Sequence, residues 1–498
     1  MKNYQIAVFD LGKTNKKLLI FDQNLDLLEQ TSTQIDEIEM GGFKAENAAE
    51  IFRWYKEKLA GLSGKYDIRA ISISSHGAAF AALDERGELV LPPVCYTTEP
   101  GDDFHNRFFA AFGHPNVLQK PTATAELKAL INIAQGIYFI KEKYPSQYGK
   151  VRHLLNYPQY YGYLMTGRFG IEKTYLGSHT YLWDYEKDEW SSVAKGLGAD
   201  KLYPSKFSKP WDILGTVDGE FAAAAGLKPD VIVTLGIHDS NGALLPYLIS
   251  GFQNFILNST GTWCVVMRPE KKVAFKEDEI GKTVFYNISA FEEPVKTAIF
   301  MGGEEYAVYD ELIRKSFGGG YQVSFQQNLY QKIISEKKLF ILPSVVKGAG
   351  QFPGSDARIV ADGRTIPLEE IRNKGLSEFF RNGDELYAAL NISLALQTEV
   401  ALQRAGMEEG MTIYVEGGFR KNEQYNRILT ALFPGSQVCL TELKEASALG
   451  AAVLGKAALE RVDPMSMRNL MKINFEPVEK TILEEIASYR EEFLRLIG

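Results

Sequence analysis

Two short Gly/Thr turns, Asp10-Leu-Gly-Lys-Thr14 and Asn258-Ser-Thr-Gly-Thr262, stand half a chain apart in a 498-residue sequence. Each follows an apolar run of strand character, Ile6-Ala-Val-Phe9 and Phe255-Ile-Leu257. Glycine lets backbone approach a phosphate closely, and threonine adds a hydroxyl donor beside the exposed N–H groups. The half-chain repeat predicts a duplicated architecture in which each half contributes one phosphate-gripping hairpin to a nucleotide held between two lobes.

Carboxylates stand where such a site needs them. Asp10 ends a buried strand beside the first turn; a carboxylate there either holds Mg²⁺, partly through water, or caps the turn with its own side chain. Asp239 follows the short apolar run Val231 to Leu235 and the segment Gly236-Ile-His-Asp239, at a change from strand to helix. It is a candidate general base for moving phosphate onto a hydroxyl, a transfer that needs a carboxylate within hydrogen-bond reach of that hydroxyl. Asp before Ser-Asn-Gly-Ala is equally good helix-capping chemistry. Gly417-Gly418 followed by Asn422 offers flat backbone for an adenine ring, or simply an entry into a helix. His76, directly after a strand and before Gly77, is a candidate substrate contact or a structural histidine. The other histidines show no metal-ligand spacing.

The elements that must position these groups are legible in outline. Ile6 to Asp10 and Leu18 to Asp22 read as a hairpin, and Ala70 to Ser74 as a strand ending at His76-Gly77. Ala79 to Leu83 and Leu89 to Val94 read as a second hairpin about the Asp84–Gly87 turn. Residues 125–165 read as mainly helical, broken at Tyr144-Pro145 and Tyr157-Pro158. The leucines from Leu386 to Leu402 mark a core helix leading to a strand Thr412 to Val415. A helix follows around Tyr425 to Leu432. Glu445 to Ala452 reads as a small-residue helix able to pack close to neighbouring backbone, and Thr481 to Leu496 as an amphipathic, solvated cap.

A chain of 498 residues exceeds one compact core. The boundary is expected near residue 248, giving domains 1–248 and 249–498. The net charge of −8 and pI near 5.6 argue against nucleic acid as a partner. Cys95, Cys264 and Cys439 form no CxxC pair and suit a reducing compartment. The run Met1-Lys-Asn-Tyr-Gln5 leads straight into a strand, without room for a signal peptide, and no apolar run reaches membrane-spanning length. The expectation is a soluble, cytoplasmic protein without a membrane partner; a homodimer stays open.

In collinear order over roughly residues 4–460, these segments resemble the FGGY family of carbohydrate kinases. Asp10-Leu-Gly-Lys-Thr-Asn15 looks like the family's first phosphate motif and Ser259-Thr-Gly-Thr-Trp263 like its second. Gly236-Ile-His-Asp239 matches the segment with the catalytic aspartate, Glu416-Gly-Gly-Phe-Arg-Lys-Asn422 the adenosine motif, and Met301-Gly-Gly303 a further glycine contact to the nucleotide. The resemblance implies an α/β fold of two ribonuclease-H-like domains of the actin/hexokinase type, with an interdomain active-site cleft closing on ATP and a sugar. It implies that Asp239 is the base, that Asp10 organises Mg²⁺, and that Gly12, Thr14, Asn15, Gly261 and Thr262 serve the phosphates. Gly303, Gly417, Gly418 and Asn422 would hold the adenosine side, and His76, Gly77, His238 and Asp239 the sugar. The His238-Asp239 pair and Gly-Thr-Trp263 look most like the L-fuculokinase and L-rhamnulokinase branch.

The family's Trp-x-Asp-x-Arg stretch is replaced by Tyr96-Thr-Thr-Glu-Pro-Gly-Asp102, without arginine. Either Glu99 or Asp102 takes over a sugar contact, or an ordinary Pro-Gly turn explains both. The expected acceptors are L-fuculose and L-rhamnulose, then xylulose and ribulose. The rival readings are an actin/heat-shock-type nucleotide switch with ATPase activity that no sugar stimulates, and a catalytically silent sugar sensor. No GxGxxG opens a βαβ unit, which argues against a nicotinamide enzyme.

Overall fold

The computed structural model describes residues 3–319 and 324–498, so Met1 and Lys2 of the N-terminal run lie outside it. Two seven-stranded sheets form its centre. In the first, strand Gln5–Leu11 pairs antiparallel with Asn15–Asp22, which pairs antiparallel with Leu27–Gln34. On its other side Gln5–Leu11 runs parallel to Ile68–Ser75, which pairs parallel with Ile232–Thr234 and Ile237–His238. The second sheet repeats this plan. Phe255–Thr260 pairs antiparallel with Cys264–Pro269, that strand with Pro294–Phe300, and Phe255–Thr260 runs parallel to Thr412–Gly417. The two glycine turns therefore join the first two strands of equivalent sheets, as the half-chain repeat predicts.

Each sheet buries one face under its own apolar cluster. The first gathers Phe9, Ile71, Tyr55 and Tyr161; the second gathers Ile256, Val266, Leu390 and Ile413. Helix Gly383–Arg404 is buried on nearly every face rather than along one stripe, because it lies inside the second cluster. The other face of the first sheet is covered by a helix from far down the chain. Ala446–Glu460 packs on Ile6, Val8 and Ala70 beside helix Asp239–Ser250, with Val453 and Leu454 fully buried. Burying each such aliphatic side chain contributes about 1.5–3 kcal/mol. Its small residues are required by the approach: a Cβ on Gly450 would lie 2.1 Å from the carbonyl oxygen of Gly242. The expectation of close backbone packing holds for this helix, and the helix carries part of the 249–498 stretch onto the first sheet.

Several local expectations are corrected. Within residues 125–165 a strand, His153–Asn156, pairs with Phe80–Leu83, and both Tyr-Pro steps open helices instead of only ending them, since proline fits the first helical turn. The strand expected to reach Val94 stops at Leu91, before Pro92-Pro93. The C-terminal helix starts at Ile486, not at Thr481, and it buries Tyr489 and Phe493 against the second core. Among the described residues no helix is long and apolar enough to cross a membrane.

Candidate active site

The parallel strand Ile68–Ser75 sets the geometry of the first lobe's site. Asp10 lies beside Ser74 on one side and His238 beside Ser75 on the other, so the carboxylates of Asp10 and Asp239 flank the end of one central strand. Both border a cleft of about 600 Å³. Asp239 is the first residue of helix Asp239–Ser250 and His238 holds the cap position, so the side-chain-cap alternative does not apply. All its contacts fall on one oxygen. Asp239 Oδ1 accepts from the Ser240 N–H at 2.6 Å and the Ser240 hydroxyl at 3.3 Å, and lies 3.3 Å from His238 Nε2. The Asn241 amide donates to His238 Nδ1 at 3.5 Å, which leaves the imidazole proton on Nε2, facing the carboxylate. Among the described residues Oδ2 has no hydrogen-bond partner, and the residue borders the cleft.

Burial raises the Asp239 carboxyl above its usual range, against the pull of His76. Asp10 is pushed up to about 6, chiefly by burial and also by Asp239 and Glu445, while Lys17 pulls the other way. Two residues at the start of one helix, remote in sequence, complete this end. The Ser447 hydroxyl donates to Asp10 Oδ1 at 3.3 Å, and Glu445 pairs with Lys17 at 2.5 Å. Negative charge thus exceeds what Lys17 offsets, and a hard oxygen-seeking cation fits that donor set. Asp10 is the residue that would hold a Mg²⁺ ion.

Behind the first turn lies a buried ionic cluster that sequence reasoning missed. Lys13 pairs with Glu37 at 2.6 Å and with buried Glu46 at 2.5 Å. The Glu46 carboxylate also lies 3.8 Å from Lys16 and 3.8 Å from His76 Nε2. Burial would raise the Glu46 carboxyl, but His76, Lys13 and Lys16 together hold it below its ordinary value. Glu37, Glu46 and Cys95 come close enough to hold a metal ion, yet the Lys13 ammonium already fills that position. His76 Nδ1 donates to the Gly77 carbonyl at 2.8 Å, and its buried Nε2 has no hydrogen-bond partner. The only sequence signal for this cluster is the pair of lysines around the turn; nothing near Glu46 marks it.

The second lobe is built differently. A neighbouring cavity of about 750 Å³ shares Gly261 and Thr262 with the cleft and adds Gly303, Gly418 and Asn422. A Cβ on Gly303 would fall 2.0 Å from the Gly261 carbonyl oxygen, and one on Gly417, at φ +79°, 2.0 Å from that of Thr260. Thr260 ties these segments together: its hydroxyl donates to the Glu416 carbonyl and accepts from the Phe419 N–H at 2.9 Å. Tyr306 and Phe419 form an aromatic wall, their rings 5.8 Å apart. Asn422 lines the cavity, with its carboxamide engaged: Oδ1 caps helix Glu423–Leu432 and Nδ2 donates to Asn391.

Most sequence-singled residues therefore converge. Asp10, Gly12, Thr14, Asn15, His76, Gly77, His238, Asp239, Gly261, Thr262 and Gly417 border the cleft, and Gly303, Gly418 and Asn422 the adjoining cavity. Glu99 and Asp102 border neither. Glu99 accepts from the Gly101 and Ala129 N–H groups and lies 3.2 Å from His105 Nε2, and Asp102 pairs with Lys128 at the surface. Glu99 is thus held by backbone N–H groups, and Asp102 opens helix Asp102–Phe112 rather than sitting in a turn. His179, Tyr96, Glu445 and Ser447 border the cleft without having been named as site residues, and so does Trp263, noted only as part of the second motif.

Residues 5–246 match the model of the FGGY family of carbohydrate kinases, N-terminal domain, and residues 252–463 that of carbohydrate kinase FGGY, C-terminal domain. The structure is similar to a carbohydrate kinase from Novosphingobium aromaticivorans, at 25% identity and TM-score 0.77 over 100% of this chain and 99% of that one. It shares its fold with gluconate kinase from Lactobacillus acidophilus, at 16% identity and TM-score 0.80 over 99% and 97% of the two chains. The same holds for xylulose kinase from Lactobacillus acidophilus, at 16% identity and TM-score 0.79 over 99% and 96%.

Proposed function

This chain belongs to the FGGY family of carbohydrate kinases, and we propose that it moves the γ-phosphate of ATP onto a hydroxyl of a ketose, with Asp239 as the general base. The observation that carries this reading is the Asp239 carboxylate at the head of the cleft, one oxygen fully engaged and the other free. Three contacts on Oδ1 hold the side chain in place, and in this reading Oδ2 takes the proton of an incoming hydroxyl.

The phosphates lie between the two turns in this reading, with Thr14 and Thr262 as hydroxyl donors and the bare backbone of Gly12 and Gly261 beside them. Adenine lies over Gly418 against Phe419 and Tyr306. Mg²⁺, when bound at Asp10, offsets charge on the transferring phosphoryl group. The lobes shield the nucleophile from water, which otherwise competes for the γ-phosphate. L-Fuculose and L-rhamnulose stand first as acceptors and xylulose and ribulose next, in a cytoplasmic enzyme.

ADP release with Mg·ATP over a panel of ketoses and aldoses, wild type beside Asp239→Asn, tests this. Sugar-dependent release that the variant loses supports the reading. Release that ignores every sugar replaces it with the nucleotide-switch alternative.

A further inference from the structure

The acceptor end of the cleft is bordered by three imidazoles, His76, His179 and His238, and its cations are already spent. Lys13 is clamped between Glu37 and Glu46 and lies 5.4 Å from the Tyr96 ring centre. Lys17 is paired with Glu445. No arginine borders the cleft among the described residues, and the carboxylate beside these imidazoles is Asp239, 3.3 Å from His238 Nε2. A carboxylate brought to this end loses hydration and meets the Asp239 carboxylate without a free counter-charge, a cost that a hydroxyl does not incur.

His179 is the imidazole that the kinase reading leaves without a task. Its backbone sits at φ +44°, a left-handed conformation costly for a residue with a side chain, and the Asn132 amide holds its carbonyl at 2.7 Å. Nδ1 donates to the Ile131 carbonyl at 3.2 Å, so the lone pair is on Nε2. The ring edge rests on Phe285, from the second half of the chain, at 5.6 Å between centres. Neighbouring Ser178 donates to Asn287 on the same strand. Nε2 of His179 and Nε2 of His238 lie 3.0 and 2.8 Å from the point where a Cβ on Gly77 would stand. Gly77 thus leaves a notch into which one acceptor nitrogen and one nitrogen beside the base both point. Burial, with the neighbouring His238, keeps the His179 ring down at about 3, so it is uncharged at neutral pH and offers no pairing to an acid.

We propose that the acceptor end takes an uncharged polyhydroxyl sugar and rejects sugar acids, one hydroxyl of the sugar lodging over Gly77 and donating to His179 Nε2. This rests on the kinase reading, whose named acceptors are all uncharged, and it names the residue that would recognise them. It also makes His179 a specificity residue with a pre-set tautomer, held by contacts from both halves of the chain.

The test is ADP release with Mg·ATP for neutral ketoses and for aldonates such as gluconate, using wild type, His179→Ala and His179→Asn. Asparagine tolerates the left-handed backbone and restores an acceptor oxygen. The expected result is turnover of neutral sugars alone. In His179→Ala the sugar KM rises about tenfold, as loss of one well-placed hydrogen bond does, with the KM for ATP unchanged; His179→Asn recovers most of it. Aldonate turnover matching the best neutral sugar overturns the inference and leaves the kinase reading standing. So does a sugar KM within twofold of wild type in His179→Ala, or an asparagine variant as impaired as alanine. Silence with neutral and acidic sugars alike brings down the kinase reading, and this inference with it.

Discussion

The turn at Gly12 is ringed by charge, whereas its counterpart at Gly261 is ringed by bare backbone. Both join the first two strands of equivalent sheets, and Thr14 and Thr262 are equally exposed at their tips. Around the first stand Lys13, Lys16, Lys17, Glu46, Asp10 and Asp239, several of them buried. Around the second, Gly303 and Gly417 bring main chain within the space of a missing Cβ. On the proposed reading both hairpins contact phosphate, and the first stands in addition beside the groups that move a proton. Proton transfer needs a side chain whose charge can change, and that charge must be held by partners. Gripping a polyphosphate needs donors that do not titrate, and backbone amides supply them.

The largest effect should come from breaking the charged side at Asp239. Asp239→Asn keeps the shape and the Ser240 contacts but removes the proton acceptor. The expectation is a fall in kcat of about a thousandfold, in the range general-base removal produces. The midpoint of thermal unfolding should stay within a few degrees of wild type. Because burial holds this carboxyl above its ordinary range, wild-type kcat should also decline on the acid side at a pH higher than an exposed aspartate gives. Retained turnover in a well-folded Asn variant would mean that the two turns do not divide the work in this way.

Asp10 tests the cost of the charged side. Its carboxyl sits at about 6 in the fold against an ordinary 3.8, so between those values the folded protein binds the extra proton. Stability from this group is full below pH 3.8 and is lost as pH rises through 6. Asp10→Asn imitates the protonated form. At pH 8 it should stabilise the ligand-free protein by an amount on the order of 3 kcal/mol, the free energy that keeping this carboxyl charged in the fold costs, with no gain at pH 3.5. Denaturant titrations at the two pH values measure this, and equal gains at both would show that Asp10 carries no charge strain. Turnover should fall in the same variant, the usual exchange between stability and a charged site.

The two sides also differ in how far the sequence exposes them. Glycine turns are local chemistry: Gly12, Gly261 and Gly417-Gly418 sit directly after strand-like runs, and each proves to border the site. Asp239 was visible for the same reason, at the junction of strand and helix. The cluster behind the first turn was not, because its members meet only after folding. Glu46 is 33 residues from Lys13, and nothing in Ala45-Glu46-Asn47 says that it is buried. His179, in Gly-Ser-His-Thr, owes its place to a left-handed backbone that no propensity marks. Ser447 reaches Asp10 and Glu445 reaches Lys17 because a whole helix crosses onto the first sheet, although its small-residue composition did announce close packing. Glu99 is the opposite case: the sequence leaves a sugar contact and a structural role equally open, and two backbone N–H groups engage its carboxylate. Strand His153–Asn156, four residues between two Tyr-Pro steps, was too short for alternation to declare itself.

On the backbone side, Gly303→Ala sharpens the contrast. The added methyl meets the Gly261 carbonyl at 2.0 Å, and neither chain can yield without opening the turn that Thr262 rides on. Overpacking of this kind costs about 1–3 kcal/mol. The expected signature is a KM for ATP raised about tenfold or more, the KM for sugar holding near wild type. A change confined to the sugar KM would place the glycine contact at the wrong end of the cleft.

The smallest effects belong to the two threonines, and their combination decides whether the turns act as one clamp. Thr14→Ala and Thr262→Ala each delete one neutral hydroxyl donor and should each raise the KM for ATP about threefold to tenfold, the worth of a single hydrogen bond. If each hydroxyl holds its own phosphate oxygen on a rigid lobe, the double variant multiplies the two losses. If lobe closure requires both to engage together, the second substitution adds little once the first has been made. Equilibrium binding of a non-hydrolysable ATP analogue to the four proteins of that cycle separates the cases. Non-additivity would show that two turns so differently surrounded still depend on each other through the nucleotide they share.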